Sequence, residues 1–252
     1  MFSQHDIKKL LQNSLHQLQE LKETYALLPS TRCRRKTNCC SMLPEMSLVE
    51  ALAVIKRLLD MPSAMCRQFV QKIVNYFFLN PVEITLCPFL EGRECMIYED
   101  RFFGCRAYGL WSQEYYERLM DGARRTKIHL REQWNNLGLS LPSKVVDFQV
   151  PYCKDVEIDG NAFVDDRMLQ NISDTIEAIS SRLSHQHQSF SQVYFSDLSF
   201  LLSSIAFGLE ESIKIKFTVV KDIITTGNMT GLEKIIDELP ELCAKLDLFS
   251  MD

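Results

Sequence analysis

Six cysteines fall in two islands. Cys33, Cys39 and Cys40 lie in RCRRKTNCC, and Cys87, Cys95 and Cys105 lie in CPFLEGRECMIYEDRFFGCR. A thiolate is a soft, strongly donating ligand. Several thiolates gathered in a reducing compartment hold zinc or an iron–sulfur cluster. The spacings suit that chemistry, with five residues between Cys33 and Cys39, seven between Cys87 and Cys95, and nine between Cys95 and Cys105. Loops of this length let side chains converge on one point without a helix or strand fixing their directions. If both islands serve one site, metal closes a long loop and its binding adds directly to folding.

The neighbours fit a multi-thiolate centre. Arg32, Arg34, Arg35 and Lys36 surround Cys33, and Arg106 follows Cys105. Cations near a thiol favour the thiolate and offset its charge. Phe89, Leu90, Phe102 and Phe103 are suited to excluding water. Three further cysteines read differently. Cys66 falls in phase with Met65, Phe69 and Ile73, and Cys243 sits beside Leu242 and Leu246, so both are expected in the core. Cys153 follows Pro151 and Tyr152 in a loop and is a seventh candidate ligand. His5, His16, His129, His185 and His187 lie outside the islands and are expected at the surface or in satisfied positions.

The elements that position the islands are helices. Nine glycines and eight prolines in 252 residues leave few tight turns. Helical periodicity runs from Asp6 to Leu28. Ser47 and Glu50 form a capping box that opens a helix carrying Leu48, Leu52, Ile55 and Leu59. Met65, Phe69, Ile73 and Phe77 make the next stripe, which Asn80-Pro81 ends. The second island reads as irregular backbone wrapped around a ligand. Ser112 starts a long helix to about Leu137, with Gly138 as its stop. KVVDFQVPY alternates weakly, predicting an edge strand. Helices return with Met168 to Leu183, Leu198 to Phe207 and Glu210 to Thr226. The last is a helix opened by a Thr230/Glu233 capping box and shortened or kinked by Pro240. Asp165-Asp166 and Glu210-Glu211 read as helix-start acids. The predicted fold is mainly α. Cysteine-rich metal-binding loops pack among its helices: a metal-binding domain over 1–140 with its core at 33–109, then a helical C-terminal region over 141–252, packed with it or separate.

Bulk properties exclude several classes. A net charge of −5 gives no electrostatic footprint for nucleic acid. The opening MFSQHDIKKLLQ lacks an apolar signal core, and no run of 18 apolar residues occurs, so neither export nor a membrane span is expected. Nine cysteines, an odd number, in a chain without an export signal argue against a disulfide framework and for the cytoplasm. No GxSxG, HExxH, phosphate loop or GxGxxG is present. No catalytic residue is assigned.

CPFL, then C-x-IYE, then R-x3-CR-x-YG, preceded by a CxxCxxCC-like element, resembles the CxxCxxCC cysteine-cluster family, also called YkgJ-like. The resemblance covers about residues 33 to 109, and the second island is its specific half. It implies a zinc- or iron-chelating domain; some members are discussed as iron–sulfur proteins, and flagellin lysine N-methylases are grouped with them. Aligning Cys33, Cys39 and Cys40 to the first, third and fourth cysteines puts Lys36 at the second, so one usual thiolate is missing. Arg101-Phe102 stands where the family often has Arg-Pro. Three functions follow as expectations. One is a metal-binding protein holding a [4Fe-4S] cluster or zinc, for electron transfer or to organise the fold. Another is an enzyme like the lysine methylases. The third is a helical adaptor with structural zinc, whose C-terminal helices bind a protein partner.

Overall fold

The computed structural model describes residues 2–160 and 163–245, with side chains from Pro240 onward, Cys243 among them, outside the described residues. Twelve helices and four very short strands make these residues mainly α. In chain order they are α1 (Gln4–Asn13), α2 (Leu15–Tyr25), β1 (Thr31–Cys33), α3 (Leu48–Leu59), α4 (Ser63–Leu79), β2 (Leu90–Glu91), β3 (Glu94–Cys95) and α5 (Phe103–Arg106). There follow α6 (Gln113–Asn136), α7 (Ser143–Val146), β4 (Val156–Ile158), α8 (Asp166–Ser181), α9 (Ser184–Val193), α10 (Leu198–Phe207), α11 (Leu209–Thr226) and α12 (Thr230–Lys245).

Local signals explain most boundaries. Ser47 and Glu50 form the predicted capping box of α3. Ser112 Oγ accepts from Tyr115 N to open α6, and Gly138, at φ +80°, follows its end. Asp165 caps α8, and Glu210 and Glu211 lie in the first turn of α11. The helix predicted over Asp6 to Leu28 is broken in two at Ser14. That side chain is fully buried and turns back to the Leu10 carbonyl at 2.7 Å, competing with the helical ladder.

Three expectations change. KVVDFQVPY begins inside α7, one helical turn opened after Pro142, and contains no strand. The strand lies further on, at β4, antiparallel to β1 with Cys33 opposite Val156. Its partner is over a hundred residues upstream, which no local periodicity can reveal. At the start of α12, Thr230 N donates to Asn228 Oδ1 at 2.9 Å, so Asn228 takes the capping role expected of Thr230. That helix runs on through Pro240 to Lys245, so Pro240 does not shorten it.

The core is one cluster running from Phe2 to Leu239. Within it α4 packs against α10, α11 and α12, while α2 packs on α3 and α8. Phe77 stacks on Phe200 at 4.9 Å between centroids, joining α4 to α10. Cys66 is buried on α4 as its periodicity predicts. No helix among the described residues is long and apolar enough to cross a membrane.

The second island is rooted in this core by aromatic rings. Phe89 is fully buried between Phe69 of α4, at 5.9 Å, and Phe102, at 6.3 Å. Such rings contribute area burial and favourable tilted contacts together. Phe89→Ala is expected to cost about 3–5 kcal/mol in urea unfolding. A loss below about 1 kcal/mol would mean that the island is not anchored through this ring.

Candidate metal centre

The first island hangs from β1. After Cys33 the chain passes through two left-handed residues, Arg35 at φ +51° and Thr37 at φ +59°, then a 3-10 turn over Asn38–Cys40. Such conformations cost about 1–3 kcal/mol each and persist only where the surroundings fix them. Here Arg35 N donates to Cys33 Sγ at 3.3 Å, and Cys40 N donates to the Thr37 carbonyl at 2.8 Å. The two islands then meet directly, for Cys87 N donates to the Cys40 carbonyl at 2.8 Å. Beyond Cys87, the β2–β3 hairpin brings Cys95 back opposite Leu90. The short α5 carries Cys105.

All six island cysteines line one cavity of about 280 Å³. Phe89, Phe102 and Ile97 form part of its apolar wall, and Arg35, Arg93 and Arg101 part of its polar one. Cys39 Sγ and Cys40 Sγ lie 3.7 Å apart. Phe89, Leu90 and Phe102 thus stand where the sequence predicts them. Phe103 does not, and meets Trp111 edge-on at 6.2 Å instead. Cys153 is buried but is not among the lining residues. It packs behind them beside Gly109. A Cβ at Gly109, whose φ is +83°, would fall 2.6 Å from Val156 Cγ2 and 3.3 Å from Cys153 Cβ. Lys36 turns to Asp155 at 2.7 Å.

The cations behave differently from expectation. Arg32 pairs with Asp159 at 2.6 Å, Arg34 with Glu157 at 3.4 Å, and Arg35 with Glu94. With Lys36–Asp155, these exposed pairs zip the first island to the β4 segment and the hairpin. Their charge is answered by acids rather than by thiols. Arg106 also turns away. Its guanidinium lies over the Tyr25 ring at 4.2 Å, and it donates to the carbonyls of Arg101 and Glu99. It acts as a buckle behind Cys105.

Glu50 is the other anchor. Its buried carboxylate accepts from Tyr25 Oη at 2.7 Å, Phe103 N at 2.6 Å and Ser47 N at 2.9 Å. One side chain therefore caps α3, opens α5 and ties both to α2. The sequence identifies Glu50 only as a cap, because Tyr25 and Phe103 are distant in the chain. A second polar brace joins Ser180 Oγ to His187 Nδ1 at 3.2 Å, with His187 Nε2 3.2 Å from Glu177 Oε1. Its residue types suggest a nucleophile, but Ser180 is fully buried and takes the Val49 N–H at 3.3 Å. The brace docks α8 and α9 on the start of α3.

The thiols resist ionising together. The hydrogen bond from Cys40 draws the Cys39 thiol down to about 7, and the Arg101 guanidinium assists. That same bond, with burial, pushes Cys40 up. Burial pushes Cys87 up to about 12, raises Cys95, and holds Cys105 well above its usual range, with neighbouring thiols adding to each. Cys39 is thus the thiolate available near neutrality, and Cys40, Cys87, Cys95 and Cys105 need a cation beside them.

Among the described residues, no three His, Cys, Asp or Glu side chains are grouped to hold a metal ion. A tetrahedral zinc with Zn–S bonds of about 2.3 Å needs sulfurs about 3.8 Å apart. Cys39 and Cys40 have that spacing, while the six together surround a volume far larger than one ion. No family model, curated protein or solved structure matches the chain. The resemblance to the CxxCxxCC family stays with the residues that carry it.

Two outcomes follow. Glu50→Ala leaves the buried Phe103 amide and the half-buried Ser47 amide without their acceptor. It is expected to cost about 1–3 kcal/mol in chemical denaturation; an unchanged midpoint would remove Glu50 from the frame of the site. Metal binding must displace protons from the raised thiols. Apparent affinity for cobalt(II), read by its thiolate absorption, is expected to rise with pH between about 6 and about 8, about tenfold per pH unit for each proton displaced. A flat profile would show that these thiols are not the ligands.

Proposed function

We propose that this chain holds an iron–sulfur cluster, of the [4Fe-4S] type, through cysteine thiolates of both islands. One observation carries the reading: six cysteines from segments separated by α3 and α4 line a single cavity. The proposed ligands are Cys39 of the first island and Cys87, Cys95 and Cys105 of the second, all lining the cavity. Cys40 stands beside them as a hydrogen-bond donor to Cys39. Cys33, on the exposed edge strand, is a lining residue outside the four. Phe89, Phe102 and Ile97 limit water on the inner side. When bound, the cluster supplies one-electron redox chemistry. Electron transfer and organisation of the fold are the roles that follow, because a group bridging both islands fixes loops that regular structure does not.

Anaerobic purification followed by iron, sulfide and zinc analysis tests this. About four irons and four sulfides per chain, with a broad band near 400 nm, are expected. Cys87→Ser and Cys105→Ser should each remove them, while Cys33→Ser and Cys153→Ser should retain them. One zinc per chain without iron or sulfide would overturn the proposal and leave a structural metal site in its stead.

A further inference from the structure

Of the basic side chains around the cysteine cavity, most have their charge engaged elsewhere. Arg32, Arg34, Arg35 and Lys36 each face an acid. Arg106 is fastened to two backbone carbonyls and lies over Tyr25. Arg93 is exposed at the rim. Arg101 shares the cavity wall with Arg35 and Arg93 but differs in being clamped in place with no acid against it among the described residues. Its guanidinium lies 3.6 Å from the centroid of the Tyr98 ring, and its Nε donates to the Tyr98 carbonyl at 2.9 Å. Stacking and hydrogen bond together hold a planar guanidinium in one place. The main chain there is locked as well, because the Arg101 carbonyl receives Arg106 Nε at 2.7 Å. The neighbouring acid, Asp100, pairs with Arg57 at 3.5 Å instead. No acid pairs with Arg101 among the described residues.

We infer that Arg101 is the positioning residue that sets the reduction potential of the cluster, as a fixed and unneutralised positive charge in the cavity wall. This inference rests on the iron–sulfur reading above. Geometry supplies its basis, and the pattern of charge effects agrees with it. Cys39, Cys95 and Cys105 all feel the Arg101 guanidinium. Reduction adds one electron to the cluster and makes it more negative. A fixed cation stabilises the reduced form more than the oxidised one, so the potential rises; removing the cation lowers it. The half-buried site screens this less than open water would.

The test is a mediated dithionite titration of the iron-loaded protein, followed by absorption and by paramagnetic resonance of the reduced state. Arg101→Gln is expected to lower the midpoint, with the reduced-to-oxidised ratio at fixed potential falling about tenfold, or ~59 mV for one electron. Arg101→Lys keeps the charge without the planar clamp and should fall between the two. Arg35→Gln removes a cation already neutralised by Glu94 and should leave the midpoint unchanged. If Arg101→Gln loses the cluster, Tyr98→Leu serves in its place, because it releases the guanidinium towards solvent and should also lower the midpoint. Full iron content with an unmoved midpoint overturns this inference alone. So does a shift in Arg35→Gln as large as that in Arg101→Gln. A wild-type preparation without iron and sulfide overturns the underlying reading and the inference with it.

Discussion

Six thiols facing one cavity cannot all ionise without a cation among them. Burial disfavours the thiolates of Cys87, Cys95 and Cys105, and neighbouring thiolates disfavour them further. In this chain one of the six, Cys39, is drawn towards neutrality by its bond to Cys40 and by Arg101. Cys40, Cys87, Cys95 and Cys105 remain protonated until something positive enters. The proposed cluster of iron and sulfide would meet that condition, and its cysteine ligands would then join two loops that otherwise touch through few backbone hydrogen bonds.

The rest of the structure divides according to how firmly it holds each loop. The second island is built into the core. Phe89 and Phe102 continue the ring contacts of Phe69, Glu50 anchors the start of α5, and Arg106 buckles the chain behind Cys105. The first island is held more lightly. Apart from the Cys87–Cys40 backbone bond, much of its attachment is the three-residue β1–β4 pairing and a row of exposed ion pairs, each worth at most about 1 kcal/mol. The lighter half also contains the two left-handed residues, Arg35 and Thr37. A ligand shared by both islands would stabilise the first more than the second.

Much of this was readable from the residues. Helical periodicity and the Ser47/Glu50 box locate α3 and α4, and the six cysteines identify themselves by type and spacing. What the sequence hides is long-range. The acids that answer Arg32, Arg34 and Lys36 lie on and beside β4, over a hundred residues away. So the basic run looks like a set of counter-ions for sulfur when it is a zipper. Arg106 sits next to Cys105 in the chain yet points away from it, because a helical turn directs adjacent side chains apart. Arg101 acts on three of the thiols only because Tyr98 holds it there. Cys153, plausible by its loop setting, packs behind the cavity through the close approach of Gly109.

The most direct measurement is anaerobic native mass spectrometry of the folded chain and of two single variants, one from each island. A mass increment of about four irons and four sulfides is expected on the wild type, absent from both Cys39→Ser and Cys87→Ser. Retention of the full increment in Cys39→Ser, or a wild-type mass equal to the bare polypeptide or to the polypeptide with a single zinc, would contradict it.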